Sequence, residues 1–132
     1  MSNLLPNNEL FPMCSAKNAN NHLEIGGCDV VDLVEQYGTP LYIYDEFTLR
    51  NMCNQFKSAF NSRYENTKIL YASKAFINKA IAQIIRDEGL GLDVVSGGEL
   101  FVAIDAGVDV NNIYFHGNNK SSEELEFAVK SK

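Results

Sequence analysis

The second half of the chain alternates between short apolar runs and stretches of helical period. The runs lie at residues 69–73, 92–95 and 113–115. Such runs are typical of strands buried on both faces of a parallel sheet. Three β/α units of about 20 to 25 residues therefore predict a parallel sheet or a (β/α) barrel, and a closed barrel needs eight units and about 250 residues. The helices of these units are predicted at residues 78–88, 96–107 and from Ser121 onward.

The first part of the chain is less regular. Residues 1 to about 22 are rich in asparagine and show no hydrophobic period, so we expect an irregular or poorly ordered segment there. A short strand is predicted at residues 22–25, and the Gly26-Gly27 pair that follows it is a turn signal.

Two helices are predicted before the regular repeat begins. Asp29 suits the N-cap of a helix over residues 30–37 and Asp45 that of a second helix, because aspartate side chains accept hydrogen bonds from the first amides of a helix. Residues 41–44, between them, form a β-rich run. The second helix carries apolar residues at spacings of three and four, interpreted as core packing: Leu49, Met52, Cys53, Phe56 and Phe60.

Composition and charge narrow the class of protein. The chain has 132 residues, of which 45% are hydrophobic and 21% charged, which suits one soluble domain. A net charge of -6, without a cluster of Lys and Arg, argues against nucleic acid or an anionic membrane as a partner. The 3 cysteines form no CxxC pair, which predicts neither disulfides nor a zinc site and indicates a reducing compartment. No signal peptide or membrane-spanning stretch is recognisable, so a cytoplasmic location is expected.

Polar residues occur where the predicted strands end, and Lys74 is the first of them. A lysine that closes a buried strand is costly, and a desolvated amine loses its proton more easily, as a Schiff-base nucleophile must. The simpler alternative is a lysine that extends from the strand end into water, and this stretch alone favours that alternative.

Asp93 and His116 mark the next two strand ends. Asp93 lies inside an apolar run, where a carboxylate is costly unless it is paired, and Lys74 on the neighbouring strand is the natural partner. A structural ion pair or a capping carboxylate explains Asp93 equally well. The following segment from Ser96 to Glu99 matches a helix capping box, whose two glycines would also let a flat ring approach the backbone. A single histidine such as His116 is more often structural than catalytic.

Four motifs occur in an order that resembles the N-terminal part of the diaminopimelate decarboxylase family. These are pyridoxal-phosphate enzymes of the alanine-racemase-like (β/α)8-barrel group. The resemblance covers residues 38–121, and its ordered set of motifs is far more specific than any one of them. The motifs are YGTPLYIYD at 37–45, YASKAF at 71–76, GLGLDVVSGGEL at 89–100 and FHGNNKS at 115–121.

The resemblance assigns roles to four residues. It implies that Lys74 binds pyridoxal phosphate covalently and that Asp93 lies near that lysine and positions it. Glu99 is expected close to the same pocket, and His116 is expected to line its wall. The fold implied is the N-terminal part of a pyridoxal-phosphate-binding (β/α)8 barrel that residues 38–132 do not close, while residues 1–37 are associated with the family's second β-domain.

The activity implied is decarboxylation of meso-diaminopimelate to L-lysine and CO2, the last step of lysine biosynthesis. The family works as a homodimer, and residues from later strands complete its site. We therefore expect this chain alone to be an inactive part of the enzyme that self-associates or is unstable. Two alternatives stay open: another barrel enzyme, such as an ornithine, arginine or carboxynorspermidine decarboxylase or a racemase, and a non-catalytic α/β module.

Overall fold

A computed structural model describes residue 5 and residues 7–131, and divides the chain into two compact units. The N-terminal unit is Met1–Met52 and the C-terminal unit is Cys53–Lys132. Within the described residues, no helix is long and apolar enough to cross a membrane.

The N-terminal unit contains a small antiparallel sheet. Its strands are β1 (Ser15–Lys17), β2 (Leu23–Ile25) and β3 (Cys28–Asp29), in the order β1-β2-β3. Gly26 and Gly27, which join β2 to β3, have φ angles of 58° and 80°, a backbone region that glycine enters without strain. The predicted strand and turn are therefore confirmed.

The expectation of an irregular segment up to residue 22 is wrong over its second half. Ala16 of β1 pairs with Glu24 of β2, and a short 3₁₀ helix precedes this strand at Asn8–Leu10. The Asn18 side chain accepts hydrogen bonds from the amides of Asn20 and His22 at 2.9 and 3.0 Å. Asparagine here builds the turn between two strands and is not a sign of disorder. The same expectation for residues 1–4 and 6 lies outside the described residues.

Helices α1 (Val30–Tyr37) and α2 (Glu46–Asn61) begin where they are predicted. Asp29 caps α1 by accepting a hydrogen bond from the Val31 amide at 2.8 Å, and Asp45 accepts one from the Thr48 amide at 3.1 Å. The β-rich run at 41–44 alternates between half-buried and exposed residues but pairs with no strand of the described chain. An extended segment without a partner strand is not part of a sheet.

The interpretation of the α2 apolar stripe as core packing is wrong for most of its residues. Cys53 is buried, whereas 51% of Phe56 and 52% of Phe60 are exposed. Helical period identifies an apolar face, but it does not show that another element covers this face.

The C-terminal unit is a three-stranded parallel sheet with one helix after each strand, as predicted. The strand order is β4-β5-β6, and the sheet is open within the described residues. The elements are β4 (Leu70–Ala72), α3 (Lys79–Asp87), β5 (Gly91–Val94), α4 (Gly97–Asp105), β6 (Ile113–Phe115) and α5 (Ser122–Lys130).

The core of this unit surrounds the central strand β5. Leu92 and Val94 are completely buried, as expected for a strand with a neighbour on each side and side chains covered on both faces. Apolar residues of the preceding helix α3 and of the following helix α4 complete this core: Ile81, Ala82, Ile85, Leu100 and Ala103.

Helix α4 is tied to α3 at its carboxyl end. The guanidinium Nη1 of Arg86 donates a hydrogen bond to the Ala106 carbonyl at 2.6 Å. The last carbonyls of a helix lack partners within it, and a cation there also opposes the negative end of the helix dipole. Arg86 therefore fixes the end of α4 that lies away from the polar strand ends.

We expect Gly91→Ala to destabilise the C-terminal unit by about 1–3 kcal/mol, because its added methyl group has no space. A Cβ at this position would lie 2.5 Å from the Asn112 carbonyl oxygen and 2.6 Å from Leu70 Cδ2. Thermal or urea unfolding measures the loss. Gly98→Ala is the control, since the closest atom to its Cβ is 3.9 Å away. Equal stability of the two variants would contradict close packing at Gly91.

Candidate active site

The parallel register brings the carboxyl ends of three strands to one edge of the sheet. Ala72 of β4 pairs with Asp93 of β5, and Asp93 pairs with Tyr114 of β6. The His116 amide continues the ladder by donating to the Val94 carbonyl at 2.8 Å. In parallel-sheet and barrel folds, ligands bind at this edge.

Lys74 follows β4 in a short 3₁₀ helix, Ser73–Ala75, and its side chain is exposed. The desolvated amine expected from the sequence is therefore not found in this structure. Among the described residues, no ion pair or hydrogen bond engages the Lys74 amine, so it is available to a ligand. The segment is held in place from β4, because the Tyr71 hydroxyl donates to the Phe76 carbonyl at 2.7 Å.

Asp93 faces His116 across the sheet edge. The Asp93 Oδ2 and His116 Nδ1 atoms are 3.7 Å apart, with 27% of the aspartate side chain and 72% of the histidine side chain exposed. At this distance the contact is electrostatic and too long for a hydrogen bond. No ion pair joins Asp93 to Lys74 in the described chain, so the positioning role of Asp93 stays a prediction.

Glu99 differs in detail from the predicted capping box. The Ser96 hydroxyl accepts the Glu99 amide hydrogen bond at 3.2 Å, as expected. The Glu99 carboxylate, however, accepts from the Val95 amide at 2.8 Å, not from Ser96. It reaches one residue further back and holds the turn directly after β5, next to Asp93.

Glu124 is the residue at this edge that the sequence reasoning missed. One carboxylate oxygen accepts from the Ser121 amide at 2.9 Å, completing a capping box with the Ser121 hydroxyl at the start of α5. The other oxygen accepts from the Gly97 amide, the first of α4, at 2.7 Å. The Ser-x-x-Glu pattern from Ser121 predicts the capping box, but nothing local in the sequence indicates the bond to Gly97.

The two amides lower the pKa of Glu124. The hydrogen bond from Ser121 is the largest cause and that from Gly97 the next, and together they outweigh the opposing effect of burial. The carboxylate is therefore ionised at neutral pH, and both bonds are charge-assisted.

The loop after β6 is also anchored at this edge. Gly117 has a φ of 112°, and the Lys120 amine donates to its carbonyl at 2.6 Å. The same amine lies 5.3 Å from the centre of the Phe115 ring, a cation–π contact. Lys120 is thus committed to its own loop, in contrast to Lys74.

A free primary amine, a carboxylate and an imidazole therefore lie at one edge of a parallel α/β sheet. A free amine at such an edge can bond to a carbonyl compound, and an aldehyde cofactor such as pyridoxal phosphate fits this donor set. Within the described part of the chain, no group of His, Cys, Asp and Glu could hold a metal ion. The fold and site are those expected of a pyridoxal-phosphate-binding domain built from parallel β/α units.

Residues 48–132 match the family described as pyridoxal-dependent decarboxylase, pyridoxal binding domain. The chain belongs to this family, whose cofactor is pyridoxal phosphate.

Curated relatives agree with this family. The chain is 52% identical over 116 residues to diaminopimelate decarboxylase of Bacillus subtilis, a match that covers 88% of this chain and 26% of that protein. It is 49% identical over 133 residues to diaminopimelate decarboxylase of Synechocystis sp., covering 94% of this chain and 28% of that protein. The chain thus spans about a quarter of the length of these relatives.

Solved structures of diaminopimelate decarboxylases are also similar to this chain. A crystal structure of diaminopimelate decarboxylase from M. jannaschii has a TM-score of 0.82 and 35% identity, and the match covers 91% of this chain and 28% of that one. A second structure of that enzyme, in co-complex with L-lysine, has a TM-score of 0.81, the same 35% identity and the same coverage. The C-terminal unit is therefore the beginning of a pyridoxal-phosphate-binding barrel.

We expect Glu124→Gln to lower thermal stability at neutral pH, with a difference that shrinks in acid. The pKa of Glu124 in the folded protein lies below its usual value of 4.5. The charged carboxylate therefore stabilises the fold above pH 4.5, and this contribution is lost as the pH falls through the pKa of the folded state. The melting temperature measured between about pH 3 and pH 7 tests this. A constant difference across that range would contradict a charge-dependent bond.

Proposed function

We propose that the protein carrying this chain decarboxylates meso-diaminopimelate to L-lysine and CO2 with pyridoxal phosphate. The observation that carries the proposal is a free Lys74 amine at the sheet edge that also carries Asp93, in a chain of which 88% aligns with a diaminopimelate decarboxylase at 52% identity. The L-lysine complex of the M. jannaschii enzyme supports the product.

Lys74 is the proposed attachment point for the cofactor. Its amine would hold the cofactor covalently through the cofactor's aldehyde group. Pyridoxal phosphate held there would supply an electron sink for the pair left behind when CO2 departs. The hydrogen bond from the Tyr71 hydroxyl to the Phe76 carbonyl would keep Lys74 at the end of β4.

Asp93 and His116 are proposed to line the ligand site near Lys74. The Asp93 carboxylate would orient a nearby amine by accepting a hydrogen bond from it, and His116 would shield one side of the ligand. Glu99 would act indirectly in this arrangement, because its carboxylate holds the Val95 amide at the end of the Asp93 strand.

The assembly and location follow from the same proposal. We infer a homodimer in the cytoplasm; the resemblance to the family supports the dimer, and cysteines without a CxxC pair support a reducing compartment. The association of residues 1–37 with a second β-domain stays a prediction.

We expect borohydride reduction of the protein carrying this chain to fix pyridoxal phosphate on Lys74. Intact-mass measurement should show one adduct, which peptide mapping places on Lys74. A separate sample of the cofactor-loaded protein, not treated with borohydride, should release CO2 from meso-diaminopimelate faster than from ornithine or lysine. Lys74→Ala should lose both the adduct and the activity, because no other amine is free at this edge of the described sheet.

Lys79→Ala is the matched control. Lys79 lies on α3, the helix after Lys74, where it is exposed and forms an ion pair with Asp105 at 2.8 Å. It should keep the adduct and the activity. An unmodified Lys74 in the cofactor-loaded protein would overturn the enzyme assignment and favour the non-catalytic module. An adduct with faster turnover of ornithine would retain the class of enzyme and overturn the substrate.

We expect Asp93→Asn to lower kcat by roughly tenfold or more while the adduct on Lys74 still forms. A reacting amine that is displaced from its productive position reacts more slowly even when the ligand still binds. Steady-state kinetics with the loaded protein measures this. Asp105→Asn removes a carboxylate from the same unit, away from the strand ends, and should leave kcat unchanged. Unaltered kcat in Asp93→Asn would leave Asp93 with a purely structural role.

A further inference from the structure

We propose that Glu124 is a positioning residue for the active site, although it lies on the third helix of the unit. Glu124, with the Gly97 and Ser121 amides that it binds, is called the Glu124 clamp. The clamp ties the turn after β5 to the loop after β6, and so fixes the spacing of Asp93 and His116. This inference rests on the proposed function.

The clamp joins two segments that are far apart in the sequence. Gly97 and Glu124 are 27 residues apart, and their bond is 2.7 Å long. Gly97 lies directly after the turn that follows Asp93, and Ser121 ends the loop that begins at His116. One carboxylate therefore binds both the segment that follows Asp93 and the end of the loop that begins at His116.

The contact leaves little space, which makes it specific. A Cβ at Gly97 would lie 3.1 Å from Glu124 Cγ, and a Cβ at Gly117 would lie 3.4 Å from the Val95 carbonyl oxygen. The backbone of Gly97 thus packs directly against the Glu124 side chain, and that of Gly117 against Val95. A larger residue at either glycine would separate these contacts.

The chemistry of the clamp explains why a carboxylate is needed. Both oxygens accept from backbone amides, and the first amides of a helix have no partner within it. A carboxylate has two acceptor oxygens, whereas a glutamine side chain has one acceptor and one donor group. Glutamine at this position would therefore keep the size but break one of the two bonds.

The strand ends alone do not fix the site geometry. The ladder extends to the His116 amide, but its side chain lies 3.7 Å from Asp93 without a hydrogen bond between them. Asp93 lies in β5 and His116 follows β6 directly, so the position of the His116 side chain relative to Asp93 depends on the segments after these two strands. The Glu124 clamp, the Glu99 bond to Val95 and the Lys120 bond to Gly117 hold those segments.

The test compares Glu124→Gln with Glu123→Gln in the cofactor-loaded protein. Both remove one charge from the first turn of α5, but only Glu124 binds Gly97. Well below the melting temperature, Glu124→Gln should lower kcat by roughly tenfold with KM within about twofold, since the loss is one of geometry. It should also shift the absorption band of bound pyridoxal phosphate, whereas Glu123→Gln should change neither.

Amide hydrogen exchange of the cofactor-free protein gives a readout without activity. Glu124→Gln should speed exchange at Gly97 or Ser121, while the Leu92 amide in the core strand keeps its protection. Gly97→Ala should reproduce the faster exchange in the cofactor-free protein, because its Cβ would lie 3.1 Å from Glu124 Cγ and crowd the clamp.

The outcomes separate the two proposals. Faster exchange at Gly97 with unaltered kcat and absorption in Glu124→Gln would show a structural clamp only and overturn the positioning role, leaving the proposed function intact. Unaltered exchange would overturn the clamp itself. A wild-type protein that forms no adduct on Lys74 and releases no CO2 would instead overturn the proposed function.

Discussion

The parallel register of β5 against its two neighbours is the constraint on which the candidate site depends. It sets Ala72, Asp93 and Tyr114 in one row, so residues from three separate parts of the chain reach the same edge. At the other end of β5, Gly91 packs against Leu70 of β4 and the Asn112 carbonyl just before β6, where even a methyl group has no space. The packing at one end of the strands thus determines the chemistry at the other end.

The carboxylates near this edge fall into two kinds. Glu99 and Glu124 accept hydrogen bonds from backbone amides, which satisfies their charge and fixes the backbone. Asp93 faces a side chain at a distance that leaves it able to interact with a ligand. The distinction separates carboxylates that build the site from the one that can act in it, and residue type alone does not reveal it.

The sequence predicts the repeating part of this fold well because strand and helix periods are local. It also marks Lys74 and Asp93 as candidates, because polar residues at strand ends meet at one edge of a parallel sheet, and their roles stay predictions. It could not reveal which partner a side chain meets across 27 residues, as in the bond between Glu124 and Gly97. For the same reason helical period predicts an apolar face on α2 but not the exposure of Phe56.

Helix α4 receives its two end caps from opposite directions along the chain. Arg86 precedes its carbonyl partner by 20 residues, and Glu124 follows Gly97 by 27. During synthesis, chains emerge from the ribosome amino end first. The carboxyl end of α4 can therefore be capped as soon as that helix is complete, whereas the Gly97 amide at its amino end receives its partner only with α5. The contacts at the edge that carries the candidate site are consequently completed last among these three β/α repeats.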